Sequence, residues 1–368
     1  MQTRISQARL SPDRSGREAA EHGAAPRLEE IEEFGSNPGN LRMFAYQQRS
    51  IEAHPALMVV LHGCGQTAES YDHGAGWSTL ADRYGFTLLL PQQQPFNNPK
   101  GCFNWFQTAD TESGRGEALS IYQMIEKLVT DKRIDRNRVF IAGMSAGGAM
   151  TSAMLACYPA VFAGGAMIAG LPYGAFTTLR QAFEGMFQSP ARSAREWGNL
   201  VRKSAPQFLG PWPRISVWQG GADRMVIPSN AREVLKQWTD VHGLPLSPIK
   251  QVTTDGYPRE VWLNEAGDEV IESFTITSMA HGTPLATGNA YNECGVASPS
   301  FLDVGISSSY HIAKFFGLTN ANHRREVAKS CRAQRDRHPP GNIDRPNVSG
   351  PGSGPTRAVQ LPPSQAGS

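Results

Sequence analysis

The chain has 368 residues, with 35 Lys or Arg and 33 Asp or Glu, so its formal net charge is +2. This near balance argues against nucleic-acid or membrane-surface binding as the main function. No run of about eighteen apolar residues is present, so the sequence predicts no transmembrane helix. The length suits one large domain with polar ends.

Both ends of the chain contain little apolar sequence. Residues 1–34 are charged and rich in Ala and Gly, and we interpret them as a disordered arm with a weak helix at residues 27–33. The N-terminus lacks an apolar stretch with a cleavage site, so no standard signal peptide is expected. Residues 319–368 are basic and then rich in Pro, Gly and Ser, which predicts a disordered tail. The folded catalytic domain is predicted at residues 35–318.

Between these ends, short apolar runs alternate with segments of helical periodicity. Residues 41–47 alternate like an edge strand, whereas residues 57–61 and 87–90 are continuous apolar runs, typical of strands covered on both faces. Further strands are predicted at residues 139–142, 162–169 and 215–218, a hairpin at 258–263 and 269–277, and helices at 76–84, 117–129, 149–158, 233–241 and 309–316. The alternation predicts an α/β fold with a mostly parallel sheet and helices on both faces.

A Gly-x-Ser-x-Gly motif links one predicted strand to the next helix. Gly143, Ser145 and Gly147 follow the apolar run at residues 139–142, and residues 149–158 favour helix. A serine on such a sharp turn has strained backbone angles, and glycines two residues away relieve the crowding. The turn places the hydroxyl at a helix N-terminus, whose free amides favour an oxyanion. Because this short pattern also arises by chance, its context must support Ser145 as a nucleophile.

A nucleophilic serine needs a base, and the base needs an acid that orients it. In serine hydrolases of this architecture the acid and then the histidine follow the serine, each after a strand. Asp223 follows the strand at residues 215–218, and His281 follows the hairpin. We therefore predict a catalytic triad of Ser145, Asp223 and His281, with a turn-capping Asp and a structural His as the alternatives. Asp303 is the reserve acid, disfavoured because it comes after the histidine.

The oxyanion is predicted to bind two backbone amides. Ala146, directly after the serine, supplies one, and Cys64, in the loop after residues 57–61, is our choice for the other. Residues 63–68 also match the G-x-G-x-x-A pattern of dinucleotide-binding loops. We disfavour that alternative because the next strand ends at Pro91 without a carboxylate for a ribose. The five cysteines show no metal-ligand spacing, and we predict neither a metal nor an organic cofactor.

Five segments of the chain resemble the polyhydroxybutyrate depolymerase-type esterases. They are residues 61–66, 102–106, 143–150, 162–166 and 169–174, and the resemblance extends over residues 34–318. It implies an α/β-hydrolase fold and a serine carboxylic ester hydrolase, with the predicted triad in its catalytic positions. For many members it also implies extracellular activity.

The resemblance implies an ester substrate as the partner of this chain. The first interpretation is an aliphatic polyester of 3-hydroxybutyrate or another short acyl ester, and the alternative is an acetyl or feruloyl ester of a plant polysaccharide. A non-catalytic hydrolase-fold binding protein is disfavoured by the intact triad. Two departures from the family pattern affect positioning: many relatives have His in place of Gln219, and Gly-Met-Gly-His in place of residues 278–281.

Three features of the predicted cleft stay open at this stage. Cys64 and Cys102 both begin loops at one rim of the sheet, so a disulfide and two buried thiols are equally good interpretations. Trp105 and Asn104 are predicted to line the acyl cleft, with core packing of Trp105 as the alternative. Residues 171–213 are predicted to form a cap insertion with an apolar entrance.

Overall fold

The computed structural model describes residues 27–48 and 53–320, so most of the predicted arm and tail lies outside the described residues. The strands are β1 (Glu29–Ile31), β2 (Arg42–Tyr46), β3 (Leu57–Leu61), β4 (Thr87–Gln92), β5 (Val139–Met144), β6 (Gly164–Ile168), β7 (Arg214–Gly220), β8 (Lys250–Thr254), β9 (Tyr257–Leu263), β10 (Glu269–Ile276), β11 (Thr283–Leu285) and β12 (Phe301–Asp303). The helices are α1 (Ala68–Ala75), α2 (Trp77–Tyr84), α3 (Thr108–Thr111), α4 (Gly116–Asp131), α5 (Ala146–Cys157), α6 (Leu179–Phe187), α7 (Ala194–Ser204), α8 (Ser229–Val241) and α9 (Ser308–Phe315).

Ten strands form one sheet in the order β1-β2-β4-β3-β5-β6-β7-β10-β9-β8. The six strands from β4 to β10 in this order are mutually parallel, and the outer strands on each side pair antiparallel. β11 and β12 form a separate parallel pair. The prediction of a mostly parallel α/β sheet is therefore confirmed.

The central strands are continuously apolar because helices cover both faces of the sheet. In β3, Leu57, Val59 and Leu61 pack into the core that α4, α5 and α8 cover. Met58 and Val60 point to the opposite face and pack into the core beneath α1, α2 and α9. A strand buried in this way carries apolar side chains at every position, which explains why its sequence does not alternate. Among the described residues, no helix is long and apolar enough to cross a bilayer.

The predicted helix at residues 27–33 is wrong. This segment instead forms β1, whose Glu29 to Ile31 pair antiparallel with Ala45 to Met43 of β2. β1 forms because its backbone groups make hydrogen bonds with the otherwise open edge of β2. A helix at these residues would be short and charged, with no apolar face to bury. β1 therefore replaces β2 as the edge strand.

Residues 171–213, the predicted cap insertion, contain α6 and α7 between β6 and β7. α7 packs against α5 and α8, and its fully buried Trp197 donates from Nε1 to Glu233 Oε2 over 2.6 Å. α6 precedes α7 in the chain, and its Leu179 and Phe187 are exposed. α7 is thus part of the layer on the sheet, and a cap role for the rest of the segment stays a prediction.

Candidate active site

Ser145 lies on the sharp turn between β5 and α5. Its backbone angles are φ 56° and ψ −117°, a conformation that non-glycine residues rarely adopt. The flanking glycines provide space: a Cβ on Gly143 would lie 2.3 Å from Gly147 O, and one on Gly147 would lie 2.3 Å from Leu61 O. The Ser145 amide donates to Ile168 O over 2.8 Å, which attaches the turn to β6. The motif therefore supports a strained turn because its glycines avoid backbone clashes.

Asp223 lies in the loop after β7, and its side chain is completely buried. The amides of Met225 and Val226 donate to its Oδ1 over 2.8 and 2.9 Å. These two donors bind one oxygen of the carboxylate and leave the second oxygen, Oδ2, for another partner.

His281 lies in the turn after β10, the parallel neighbour of β7. The two loops are joined directly, since Ala222 N donates to Met279 O over 2.9 Å. His281 Nδ1 lies 2.7 Å from Asp223 Oδ2, and its Nε2 lies 3.0 Å from Ser145 Oγ. With the proton on Nδ1 donated to the carboxylate, Nε2 has a free lone pair that can accept the serine proton.

The structure thus brings the three predicted triad side chains together in one hydrogen-bonded series. Asp303, the reserve acid, lies in β12, where its carboxylate accepts from Thr287. The order of acid and histidine in the chain and their positions after strands were sufficient signals to select the three residues.

Gln219, one of the two departures from the family pattern, is a neighbour of Asp223. It lies near the end of β7, and its buried Nε2 lies 3.3 Å from Asp223 Oδ2 and 3.0 Å from Val226 O. The amide thus adds a donor to the oxygen that also binds His281. A polar residue at the end of a buried strand, four positions before the acid, is the signal that marks it.

Two backbone amides lie at the positions predicted for an oxyanion hole. Ala146 N begins α5, and Cys64 N lies in the loop after β3. Among the residues that the structure describes, neither amide donates to another protein group. Free donors at a helix N-terminus and in a neighbouring loop are suited to a developing oxyanion.

His62 supports the loop that carries Cys64. Its Nδ1 donates to Gly63 O over 2.8 Å, and its Nε2 accepts from Gln93 N over 3.1 Å. Burial lowers the pKa of His62 to about 4, so the ring is neutral at pH 7. Both ring nitrogens are occupied, and His62 therefore has a structural role in the loop.

Cys64 and Cys102 form a disulfide that spans 38 residues of the chain. Of the two interpretations that the sequence left open, the structure has the bridge. Cys157 and Cys294 are buried free cysteines. The bridge connects the loop after β3 with the loop that contains Asn104 and Trp105.

Replacing both bridged cysteines with serine should destabilise the protein by about 4 kcal/mol, because a 38-residue loop regains its freedom in the unfolded chain. The kcat for p-nitrophenyl acetate should also fall, since the Cys64 amide loses one restraint. Thermal and urea unfolding measure the first effect. Cys294→Ser is the matched control, because serine can replace the buried thiol beside Ser307. Unfolding midpoints that match between the double variant and the control would contradict the expected stabilisation.

Trp105 is half-buried at the edge of a small apolar cluster beside Ser145. The cluster consists of Ala149, Leu171 and Val226, with Trp105, Phe176 and Met186 packed against it. The Trp105 and Phe176 rings meet edge to face, with centroids 5.8 Å apart. Trp105 also packs against the main core, as the alternative interpretation has it, and its role in the acyl cleft stays a prediction.

Asn104 does not face the cleft as predicted. The side chain is buried, its Nδ2 donates to Glu117 Oε1 over 2.8 Å, and its Oδ1 accepts from Asn98 over 3.0 Å. Its amide group therefore binds protein partners, and a direct contact with substrate is not supported. Sequence analysis missed Glu117 as a partner, although a carboxylate at helical spacing from Ile121 and Ile125 marks an acid on a buried face.

Comparisons with known proteins agree with this geometry. A family model described as esterase PHB depolymerase matches residues 44–244, which include Ser145 and Asp223. The chain is 43% identical over 291 residues to poly(3-hydroxyalkanoate) depolymerase C of Paucimonas lemoignei, covering 79% of this chain and 70% of that protein. It is 36% identical to feruloyl esterase B of Neurospora crassa, covering 81% of this chain and 95% of that protein. It is 33% identical to acetylxylan esterase of Coprinopsis cinerea, covering 71% of this chain and 70% of that protein.

A solved structure shows the fold class. Acetyl xylan esterase from Aspergillus awamori aligns with a TM-score of 0.66 at 24% identity, covering 79% of this chain and 99% of that chain. Together with the parallel sheet and the serine at its strand-to-helix turn, this defines an α/β-hydrolase that acts as a carboxylic ester hydrolase. The chain belongs to the esterase PHB depolymerase family. The resemblance found in the sequence is thereby confirmed.

Proposed function

We propose that this esterase hydrolyses aliphatic esters of the 3-hydroxyalkanoate type through an acyl-enzyme on Ser145. The observation that carries the proposal is His281, whose two ring nitrogens lie within hydrogen-bonding distance of Asp223 and Ser145. A serine hydroxyl is a weak nucleophile until a base removes its proton, and this arrangement supplies the base and its orienting acid.

The reaction follows from the positions of these groups. Ser145 Oγ attacks the ester carbonyl carbon while His281 Nε2 accepts the hydroxyl proton. The carbonyl oxygen becomes an oxyanion, which the Ala146 and Cys64 amides stabilise. Asp223 keeps the Nδ1 proton in place and stabilises the imidazolium. His281 then donates its proton to the leaving alcohol as the C–O bond breaks.

The second half of the reaction uses the same groups. Water attacks the carbonyl carbon of the acyl-enzyme, and His281 Nε2 accepts one of its protons. The tetrahedral intermediate collapses to the free acid, and the proton returns to Ser145 Oγ. The resting state is restored without any net change in the protein.

The acyl group is proposed to lie against the apolar cluster beside Ser145. Ala149 is one turn along α5 from the nucleophile, and Val226 follows the acid by three residues. Such a surface suits an aliphatic chain of few carbons. The 43% identity to a poly(3-hydroxyalkanoate) depolymerase, against 36% and 33% to the feruloyl and acetylxylan esterases, supports the same choice.

A feruloyl ester is the second candidate substrate. Trp105 and Phe176 both pack against the apolar cluster, and aromatic side chains interact favourably with a cinnamoyl ring. The similarity to feruloyl esterase B extends over 95% of that protein. Acetylated xylan is a third candidate substrate, because its acetyl group fits any acyl pocket that admits a longer acyl chain.

A panel of esters tests the substrate assignment. We expect kcat/KM for 3-hydroxybutyrate dimers and trimers to exceed the values for methyl ferulate and acetylated xylan by at least about tenfold. Rates are normalised to p-nitrophenyl acetate, and the Ser145→Ala variant serves as the blank for contaminating esterases. A preference for methyl ferulate or acetylated xylan would replace the polyester assignment but keep the esterase mechanism.

Phe176→Ala should change acyl-chain selectivity. Removing the ring opens the apolar cluster opposite Trp105, so short acyl groups lose contacts whereas longer ones gain room. We expect the ratio of kcat/KM for p-nitrophenyl octanoate over acetate to rise about tenfold. Leu209→Ala is the control, because Leu209 is 95% exposed in the loop before β7, at the opposite end of the strands. An unchanged ratio in Phe176→Ala would exclude this ring from the acyl site.

A further inference from the structure

A buried carboxylate lies behind the oxyanion loop and is not part of the proposed triad. Glu117 is in the first turn of α4, on the face that packs against the sheet, and only 1% of its surface is exposed. Among the described residues, no Lys, Arg or His lies within 4.0 Å of its carboxylate. Burying such a group without a cation is unfavourable, so its hydrogen-bond partners must stabilise it.

Three N–H groups point at this carboxylate, and all come from loops rather than from α4. Asn104 donates twice over 2.8 Å, from its backbone N to Oε2 and from Nδ2 to Oε1. Gln93 Nε2 donates to Oε1 over 2.5 Å. Burial and the neighbouring Asp110 raise the pKa of Glu117 to about 8, whereas the three N–H donors favour the ionised form, which is the form that these contacts require because both oxygens accept. The carboxylate therefore joins two separate loops at one buried point.

Gln93 extends the network to both ends of the disulfide. Its Nε2 also donates to Cys102 O over 3.1 Å, and its backbone N donates to His62 Nε2 over 3.1 Å. His62 directly precedes Gly63 and Cys64, and Cys102 is bonded to Cys64. The position of the Cys64 amide is thus restrained along two routes that meet at Gln93.

The aromatic side of the cleft depends on the same carboxylate. Asn104, held twice by Glu117, lies between Phe103 and Trp105. Phe103 is fully buried against His62, with ring centroids 4.8 Å apart, while Trp105 faces the cluster beside Ser145. One buried group thereby positions the backbone that carries the Trp105 ring.

We propose that Glu117 is a positioning residue for the reaction: its carboxylate holds the loops of Asn104 and Gln93 so that the Cys64 amide and the Trp105 ring face the acyl carbon. This inference rests on the proposed function, since it presumes an oxyanion at the Cys64 amide. Glu117 touches no reacting atom in this assignment. Its contribution acts through the loops, and it should affect kcat more than KM because the oxyanion forms only in the transition state.

Glu117→Gln tests the proposal with an isosteric side chain. In either orientation of the new amide, its NH₂ group faces a loop donor, because three N–H groups surround two atoms that both accept in the wild type. We expect kcat for p-nitrophenyl acetate to fall 10- to 100-fold with KM changed less than threefold, since one oxyanion donor is typically worth 10²- to 10³-fold.

Glu126→Gln is the matched control, because it makes the same substitution on the same helix. Glu126 lies nine residues further along α4 than Glu117, and its carboxylate accepts from Arg136 Nη1 and Nη2 over 2.8 Å. We expect this variant to keep kcat within twofold. If Glu117→Gln is folded by circular dichroism and keeps kcat within twofold of wild type, the positioning role is overturned.

A second variant covers the case in which Glu117→Gln does not fold. Gln93→Leu leaves the Asn104 bonds to Glu117 intact but removes the donor to Cys102 O, and it should lower kcat about tenfold; unchanged kcat would overturn the proposal. Fluorophosphonate labelling separates the two levels of inference. A wild-type protein that is not labelled at Ser145 refutes the proposed function, whereas a labelled wild type with a fully active Glu117→Gln refutes only the role of Glu117.

Discussion

Ser145→Ala should lower kcat for p-nitrophenyl acetate by about 10⁵- to 10⁶-fold while the protein stays folded. The methyl group cannot form the acyl-enzyme, so only the oxyanion donors and substrate binding are left to accelerate direct attack by water. Steady-state hydrolysis measured against a buffer blank gives the residual rate. Thermal unfolding should be nearly unchanged, because Ser145 Oγ is bonded only to His281 among the described residues.

Ser152→Ala is the matched control for this substitution. Ser152 lies on the same helix, α5, and its buried hydroxyl has no hydrogen-bond partner among the described residues. Its removal should leave kcat within twofold of wild type. A Ser145→Ala protein that keeps more than about 1% of the wild-type rate would show that another group carries the hydrolysis.

Asp223→Asn should lower kcat about 10⁴-fold, the effect expected when the histidine is held in the wrong tautomer. The two backbone donors at Oδ1, Met225 N and Val226 N, keep the amide oxygen of the new side chain on their side. Its NH₂ group then faces His281 Nδ1, which must accept. The ring proton moves to Nε2, and the group beside Ser145 Oγ is no longer a base.

The pH dependence distinguishes this cause from a general loss of structure. A histidine in the wrong tautomer leaves direct hydroxide attack as the alternative, so the residual rate should rise with pH up to about pH 10. Asp240→Asn is the control, because Asp240 is an ion-paired carboxylate near the C-terminal end of α8 that is bonded to Arg202 and to none of the three triad residues. If Asp223→Asn keeps kcat within tenfold of wild type, Asp223 does not orient the base.

The class of fold was accessible from the sequence because each central strand is covered on both faces. Continuous apolar runs such as residues 57–61 are short and apolar at every position, which is typical of strands buried on both faces. The Gly-x-Ser-x-Gly turn could also be predicted from the sequence, because a Cβ at Gly143 or Gly147 would clash with the backbone and the motif therefore requires glycine at both positions. Local sequence thus predicted those features whose physical cause is local.

Features that depend on contacts between distant segments were not accessible. The strand β1 exists because residues 29–31 find the open edge of β2, and nothing in their own charged sequence favours a strand. Asn104 was predicted in the cleft, but its amide binds Glu117, thirteen residues along the chain. The hydrogen bonds that Glu117 accepts and the pairing of Cys64 with Cys102 both depend on how separate loops meet at one rim of the sheet.

The disulfide shows how the two kinds of information combine. The sequence placed Cys64 and Cys102 at one rim but could not distinguish a bridge from two thiols, because the separation of the sulfur atoms is a tertiary property. The same holds for Gln219, whose bond to Asp223 depends on the curvature of the loop after β7.

Mass spectrometry of the protein after reaction with a fluorophosphonate is the most direct test of the central claim that Ser145 is the activated nucleophile. The mechanism predicts one phosphonyl group per chain, located at Ser145 on the peptide that contains Gly143 and Gly147, and strongly reduced labelling in the Asp223→Asn variant. A label on any other residue, or an actively hydrolysing enzyme that stays unlabelled at Ser145, would contradict it.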